Sequence, residues 1–453
     1  MVHSGTAHAQ GGRVVRMAVR RENRYFDVFP KIVRAGDEAS ITIRPRVADP
    51  QWFDPADSRV TLIPMDGLAS GEPGARGPVL AQQTTEAGAL RVRAAFQREQ
   101  EFVLLVEHPG AGRGPLEFHL YALEPDLFAR RPVKGDLHIH SIRSDGEEPP
   151  AYVAAAGRRA GLDFIAVTDH AQYAPSLEAQ RAFAGVPIDL AIFPGEEVHP
   201  PANPVHIVNF GGRAGLTEQF GGEPYRAEVE ALAARLSALP ADGYAHAYAS
   251  CVWCFDRIRA LGGLGVFCHP YWVSQRRYDV PVALSDALFK GQPFDALELL
   301  GGYRLSEVES NALQIARYGD ERARGRRIPI VGVSDAHGCE KGELLGWYYT
   351  IVFSPSTALG ELIASIKALY SVAVEALPGQ AARAYGPLRL VKYAQFLLRE
   401  VFPQHDELCA EEGRHMLAYL AGDAQAVDRL AGLLGSTQRL FAPLWASDPG
   451  AAG

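Results

Sequence analysis

The chain has 453 residues, 47% hydrophobic and 22% charged, which is more than one hydrophobic core fills and too apolar for a largely disordered protein, so two or three folded domains are expected. Its 45 Lys and Arg against 53 Asp and Glu leave a net charge of −8, which disfavours capture of any nucleic acid beyond a short oligonucleotide. Five Cys, an odd number, make no disulfide framework, and with no apolar signal core and no apolar run of about 18 residues the expectation is a cytoplasmic protein with no membrane partner.

Residues 1–12 are small and polar and read as a frayed, disordered tail. From 13 to 127 the apolar pattern alternates with period two, and short strands are expected at 39–44, 60–63, 90–93, 102–106 and 116–120, separated by Gly, Pro and Asp turns. That pattern predicts an all-β antiparallel sandwich, followed by a linker near Pro125 and Pro132. Beyond Val133 buried strands alternate with helices. Strands are expected at 136–140, 163–170, 188–198, 205–210, 264–269, 296–300 and 328–335, and helices at 151–160, 226–236, 248–261 and 306–318. The fold class is α/β, as a parallel barrel or an open doubly wound sheet over about 133–375. Residues 380–446 read as a helical C-terminal extension packed on the barrel.

Eight of the 14 His lie between His138 and His337, and they gather at strand ends. In Asp136-Leu137-His138-Ile139-His140 a strand sends both imidazoles to one face, the spacing for two ligands on one metal. Asp169-His170, Glu196-Glu197 with His199, His269 and Asp335-Ala336-His337 end other strands in the same manner, and His206 opens the strand expected at 205–210. Strand ends of a parallel barrel converge on one face, and a mixed His and carboxylate set suits Zn, Mn or Fe better than Mg or Ca. His246 has no partner at ligand spacing, and Cys251-Val252-Trp253-Cys254 lies in a helical stretch without a second pair, so both are read as packing or surface residues.

The segments Asp136–Ser141, Ser144-Asp145-Gly146, Gly161–His170, Gly195-Glu196-Glu197, Cys268-His269-Pro270 and Ser334–His337 together resemble the polymerase and histidinol phosphatase (PHP) superfamily. The preceding sandwich is also similar to that of its carbaryl-hydrolase-like metallohydrolases. The resemblance implies a distorted seven-stranded β/α (TIM-like) barrel holding two or three divalent ions at its centre. Carried over position by position, His138, His140, Glu197 and Asp335 would hold the first ion. Glu197, His206 and His269 would hold the second, and Asp145, His170 and His337 the third. Other members carry His where this chain has Asp145. Glu197 is preferred to Glu196, which would face away, and His206 to His199. Asp169 is expected to play a structural role.

Paired divalent ions lower the pKa of a bridging water, and three of them outweigh the charge of Asp145, Glu197 and Asp335, so a small anionic ester is not excluded by the acidic balance. The expected function is a metal-dependent phosphoesterase in which a metal-bridging hydroxide attacks a small phosphate ester in line. Glu197, Asp335, His337 and Arg143 are the expected catalytic residues; Arg276 and Arg277, and less so Lys341, are further candidates to hold the substrate anion. An alternative with the same centre is hydrolysis of a carboxyl or carbamate ester, for which Tyr173, Tyr271, Trp272 and Tyr303 would suit an apolar leaving group. A third reading is a non-catalytic binding or scaffold module. The expected partner is a small-molecule ester, and an oligomer is left open.

Overall fold

A computed structural model of the chain describes residues 19–47, 53–66, 83–86, 88–108, 114–236, 243–302, 304–305, 307–340 and 344–446. The expected tail at 1–12, Tyr303 and Lys341 lie outside the described residues. The chain is mixed α/β and groups into two compact units. Of the described residues, one comprises Pro132–Pro387 with Asp406–Leu434; the other comprises those from 19 to Arg131, Leu388–His405 and the segment from Gly435.

Among the described residues, the unit containing the N-terminal strands has eight of them: β1 (Phe26–Phe29), β2 (Ile32–Arg34), β3 (Glu38–Pro45), β4 (Arg59–Pro64), β5 (Gln83–Glu86), β6 (Ala89–Ala95), β7 (Gln100–Glu107) and β8 (Leu116–Leu123). They form two four-stranded sheets, β1-β3-β6-β5 and β2-β8-β7-β4. Alternation explains the pairing, because successive side chains point to opposite faces. Ile41, Ile43, Leu90 and Val92 of the first sheet and Val60, Leu62, Phe102 and Leu104 of the second enter one buried cluster. The helix Leu388–Glu400 adds Tyr393 and Phe396, whose rings lie 5.0 and 5.3 Å from that of Tyr121. The C-terminal helices therefore form no body of their own: Leu388–His405 group with these sheets and Asp406–Leu434 with the other unit. Within the expected helical stretch, Arg383–Tyr385 is a strand.

A buried polar network holds this unit. Lys31 Nζ donates to Glu400 Oε2 at 3.0 Å and to Asn23 Oδ1 at 2.6 Å, and Arg20 donates to Glu400 Oε1 at 2.8 Å. Burial works against the Glu400 carboxylate, yet Lys31, Asn23 and Arg20 hold its pKa at about 2, below the usual 4.5. Burial meanwhile pulls the Lys31 ammonium below its ordinary range despite Glu400, so acid is the sensitive side. A depressed carboxylate contributes stability that is complete above pH 4.5 and lost as the pH falls towards 2. Acid titration of thermal stability is expected to show a loss on the order of 2 kcal/mol in that window, and Glu400→Gln is expected to remove it. An unchanged acid slope in the variant would count against the network.

The other unit carries β9 (Arg131–Asp136), β10 (Phe164–Ala166), β11 (Ala191–Phe193), β12 (Gly195–Val198), β13 (Ile207–Phe210), β14 (Leu264–Phe267), the hairpin β15 (Val273–Ser274) and β16 (Arg277–Tyr278), then β17 (Ala296–Leu300), β18 (Ile330–Gly332), β19 (Tyr348–Ser354), β20 (Ser371–Glu375) and β21 (Arg383–Tyr385). One sheet has the order β11-β10-β9-β19-β20-β21 and another β12-β13-β14-β17-β18. Two isolated parallel bridges, His170↔Glu197 and Ile139↔Ala336, link the exits of β10 and β9 to β12 and to the exit of β18. Helices Pro150–Ala160, Glu223–Arg235, Ala245–Ala260 and Val308–Ala323 stand where helices are expected. No described helix is long and apolar enough to cross a membrane.

The expected all-parallel order requires correction, since β13 runs antiparallel to both β12 and β14. Only residues 199–206 connect β12 to β13, too few for the crossover that a parallel neighbour needs. The strands are nonetheless buried on both faces and read as continuous apolar runs for that reason. Leu264 and Val266, Val208 and Phe210, and Ala296 join one buried cluster, whereas Phe267, Ile207, Leu297 and Leu299 join another.

Candidate metal centre

Most of the ligand candidates sit just beyond the ends of regular strands, whereas Glu197 lies within β12 and His206 immediately precedes β13. His138 and His140 follow β9, His170 follows β10, His269 follows β14, and Asp335 and His337 follow β18. Backbone bonds fix these exits: Asp335 N donates to His138 O at 2.8 Å, His140 N to Ala336 O at 2.9 Å, and Glu197 N to Thr168 O at 3.1 Å. Asp335 has φ +48° and His269 φ +21°, left-handed values of the kind that cluster where function demands a particular side-chain direction. Asp169 is a scaffold for the loop that follows His140. It accepts from Ser141 N (2.9 Å), Ser141 Oγ (2.6 Å), Ser144 N (3.1 Å) and Ser144 Oγ (2.5 Å).

The fully buried Glu197 is the hub. Its Oε1 lies 2.9 Å from His206 Nδ1, 3.3 Å from His269 Nε2 and 3.4 Å from His138 Nε2; its Oε2 lies 2.5 Å from His170 Nδ1, 3.4 Å from His199 Nε2 and 3.6 Å from His140 Nε2. Asp335 Oδ1 is 2.9 Å from His140 Nε2 and 3.2 Å from His138 Nε2. Asp145 lies 3.3 Å from both His170 Nε2 and His337 Nε2. The candidate ligating atoms of His140, Asp145, His170 and His337 lie close enough to share an ion, as do those of His138, His140 and Glu197, and of His138, His269 and Asp335.

These residues fit a divalent cation. His138 Nε2, His140 Nδ1, His206 Nδ1, His269 Nδ1 and Glu197 Oε2 are buried and, although several of them approach one another closely, none makes a hydrogen bond of good geometry, a situation that native interiors avoid unless something else satisfies the groups. The electrostatics favour positive charge at the same place. Burial opposes ionisation of Glu197 and Asp335, but the surrounding imidazoles hold both carboxyls well below the usual range. Against the same burial, Glu197 and nearby carboxylates push His269 up to about 9, and Asp335 and Glu197 push His138 higher than its ordinary value. Burial instead lowers His140 and His206. A cation and protons would compete for these donors.

Other candidates fall elsewhere. Glu196 turns away: its carboxylate accepts from Leu216 N, from Thr217 Oγ1 at 3.0 Å and from Asn209 Nδ2 at 3.4 Å. His199 stacks on His206 at 3.9 Å between ring centroids and comes within 2.9 Å of His170 Nδ1, so it belongs to the group although its sequence position ranked second. His246 is exposed at the start of its helix, and Cys251 and Cys254 are buried in that helix. Burial pushes the Cys251 thiol up to about 12, as befits a packing residue.

Arg143 does not present a free fork to substrate. Its Nε and one terminal nitrogen each bond Glu178 at 2.9 Å, and the pair is exposed. Arg143→Ala is therefore expected to leave turnover and stability nearly unchanged, as steady-state kinetics and thermal melting would show. Arg276 and Arg277 lie on the exposed hairpin of β15 and β16. Among the described residues a cation at the centre's edge is Arg304, which sequence reading missed. With Trp272, Asp145, Glu147, Glu307, Asp335, His337 and Leu344 it lines a cavity of about 520 Å³. Tyr173 is tied by its hydroxyl to Gly212 O at 2.7 Å, and Tyr271 packs against Tyr278. The sequence reading also missed Glu298, a fully buried carboxylate whose Oε2 is 3.0 Å from His138 Nδ1. A lone Glu within Ala296-Leu297-Glu298-Leu299-Leu300 was the available clue.

No family model matches the chain. A stretch of 106 residues is 33% identical to the DNA polymerase/3'-5' exonuclease PolX of Bacillus subtilis (strain 168), covering 22% of this chain and 18% of that protein, so the chain spans less than a fifth of the relative's length. Among solved structures, a two-domain protein from Bacteroides vulgatus ATCC 8482 containing a predicted PHP-like metal-dependent phosphoesterase aligns at 18% identity over 60% of this chain and 71% of its own, with TM-score 0.40. An amidohydrolase from Chromobacterium violaceum, with bound sulfate and no metal, aligns at 21% identity over 46% of this chain and 89% of its own, with TM-score 0.30. At these TM-scores the fold rests on the chain's own strand pairing.

Proposed function

We propose that this chain is a metal-dependent hydrolase of the PHP superfamily that cleaves a small phosphate ester. The observation that carries the proposal is the hub at Glu197: six imidazoles reach one buried carboxylate, and five buried donor atoms there lack a hydrogen bond of good geometry. A scaffold would have no use for such a set, since each unpaired buried polar atom is destabilising. The architecture we assign is a distorted seven-stranded barrel preceded by a sandwich. Supporting it are the circuit of pairings β9-β10-β12-β13-β14-β17-β18, completed by the two isolated bridges, and the core shared by the two N-terminal sheets.

His138, His140, Glu197 and Asp335 would hold one ion, Glu197, His206 and His269 a second, and Asp145, His170 and His337 a third, with Zn, Mn or Fe the metals that the donor set suits. When bound, such ions supply an activated water and Lewis-acid stabilisation of the charge that develops on a phosphoryl group. The chain's own residues do the rest. Glu197 and Asp335 keep negative charge where cations must gather, while Asp335 and His337 face the cavity and fix where the reacting group meets the centre. Arg304 adds a guanidinium to the cavity wall. Trp272 and Leu344 give it an apolar wall, the feature that keeps a carboxyl or carbamate ester as the second reading.

The deciding experiment is elemental analysis of the purified chain, followed by turnover of aryl phosphate, phosphodiester, carboxyl ester and carbamate panels with Zn, Mn and Fe. Phosphoester turnover that a chelator abolishes and added metal restores is the expected result. Ester or carbamate turnover without phosphatase activity would select the second reading, and a chain without metal or turnover in every panel would overturn both.

A further inference from the structure

We propose that Glu298 is a positioning residue that fixes the tautomer and orientation of His138, so that His138 offers a lone pair to the metal centre. The inference rests on the metal reading above and concerns a residue outside every ligand group assigned there. β17 is buried along its whole length, and Glu298 stands in it with no exposure. A carboxylate in such a strand is strongly disfavoured unless paired. Glu298 Oε2 is 3.0 Å from His138 Nδ1, whereas its Oε1 has no hydrogen bond.

An ionised Glu298 would place the imidazole proton on Nδ1. A carboxylate only accepts, so Nδ1 must carry the hydrogen. Neutral His138 then has its lone pair on Nε2. That atom is buried, makes no hydrogen bond of good geometry, and faces Asp335 Oδ1 at 3.2 Å and Glu197 Oε1 at 3.4 Å. A lone pair pointed at two carboxylates is repulsive by itself and becomes favourable once a cation lies between them. Without Glu298, the Nδ1 and Nε2 tautomers would be close in energy, and the Nε2–H form would turn a donor into a competitor for the ion. Cys268 also approaches this side of His138 and interacts with it, but its thiol lies 3.5 Å from Val266 O and the 3.0 Å contact with Nδ1 is made by Glu298.

The test uses the full chain with Mn2+ or Zn2+ alone as the probe. Glu298→Leu and Glu298→Gln are compared with the parent for metal affinity, metal content and melting temperature after chelation. Leu removes the acceptor and fills the space, whereas Gln keeps a carbonyl oxygen for the Nδ1 hydrogen. E298L is expected to bind metal about 10- to 100-fold more weakly while the chelated protein melts at or above the parent's temperature. E298Q is expected to fall between the two. A purely structural carboxylate would give the reverse: a lower melting temperature with unchanged affinity per folded molecule. Affinity of E298L within twofold of the parent overturns the proposal, and if E298L does not fold, parent-like affinity in E298Q overturns it. A parent that binds neither ion overturns the metal reading and this inference together, whereas a metal-binding parent with indifferent variants removes the inference alone.

Discussion

Glu197→Gln is expected to reduce turnover by at least about 10³-fold and to strip the purified protein of most of its metal, because the several kcal/mol that a metal centre supplies to the transition state translate into that factor. The substitution is nearly isosteric, but it removes the negative charge that six imidazoles share within 3.6 Å. Glutamine also brings an amide donor towards nitrogens that must present lone pairs. The neighbouring glutamate provides the control. Glu196 lies one residue away and is also buried, yet it bonds Leu216, Thr217 and Asn209. Glu196→Gln should therefore lower stability by about 1–3 kcal/mol, the usual penalty for disturbing a buried hydrogen-bonded group, with metal content retained. Elemental analysis, melting curves and kinetics on both variants separate the two roles. Swapped phenotypes, with Glu196→Gln losing metal and Glu197→Gln keeping it, would show that the wrong carboxylate has been placed at the hub.

That pair of glutamates also shows what was legible in the sequence. On a strand, adjacent residues face opposite sides, so only one of Glu196 and Glu197 could look into the centre, and the period-two rule could be applied without coordinates. The same rule located the strands of Ile41, Val60, Val92 and Leu104, whose alternation is clean. It was less informative where both faces are buried. β13 reads as an apolar run whichever way it points, and its antiparallel direction follows from the short 199–206 connection rather than from any side chain. Glu298 was invisible for a related reason: pattern reading treats a single charge in an apolar strand as noise, and only the three-dimensional neighbour His138 gives it meaning. Arg143 shows the opposite difficulty. Its place on a strand-end loop was read correctly, but Glu178, 35 positions away, claims its guanidinium. Long-range partners of exposed side chains leave no periodic trace.

Gly302→Ala is expected to impair both folding and turnover, although Gly302 carries no chemistry. A Cβ built there would stand 1.4 Å from Ser334 O, 2.3 Å from Ser334 C and 3.1 Å from Asp335 Cβ. Nothing flexible is available to yield, since the first two obstacles are backbone. Ser334 N is held in turn by Asp136 at 3.1 Å, and Asp335 N by His138 O at 2.8 Å. Either the segment from Gly302 is displaced, opening the cavity that it lines, or Ser334 and Asp335 shift and carry a ligand out of register. Overpacking of this kind destabilises by about 1–3 kcal/mol and occasionally more, and a displacement of about 1 Å at a reacting centre lowers rates about 10²-fold. Gly319→Ala supplies the contrast, because that glycine lies in the helix Val308–Ala323 with open space around its would-be Cβ. Replacing it should stabilise by about 0.5–1 kcal/mol through helix propensity. Kinetics at saturating metal, together with melting curves, would distinguish the two glycines. If Gly302→Ala kept parental turnover and melting temperature, the close approach that sets Asp335 in its left-handed conformation would not be what holds this ligand in place.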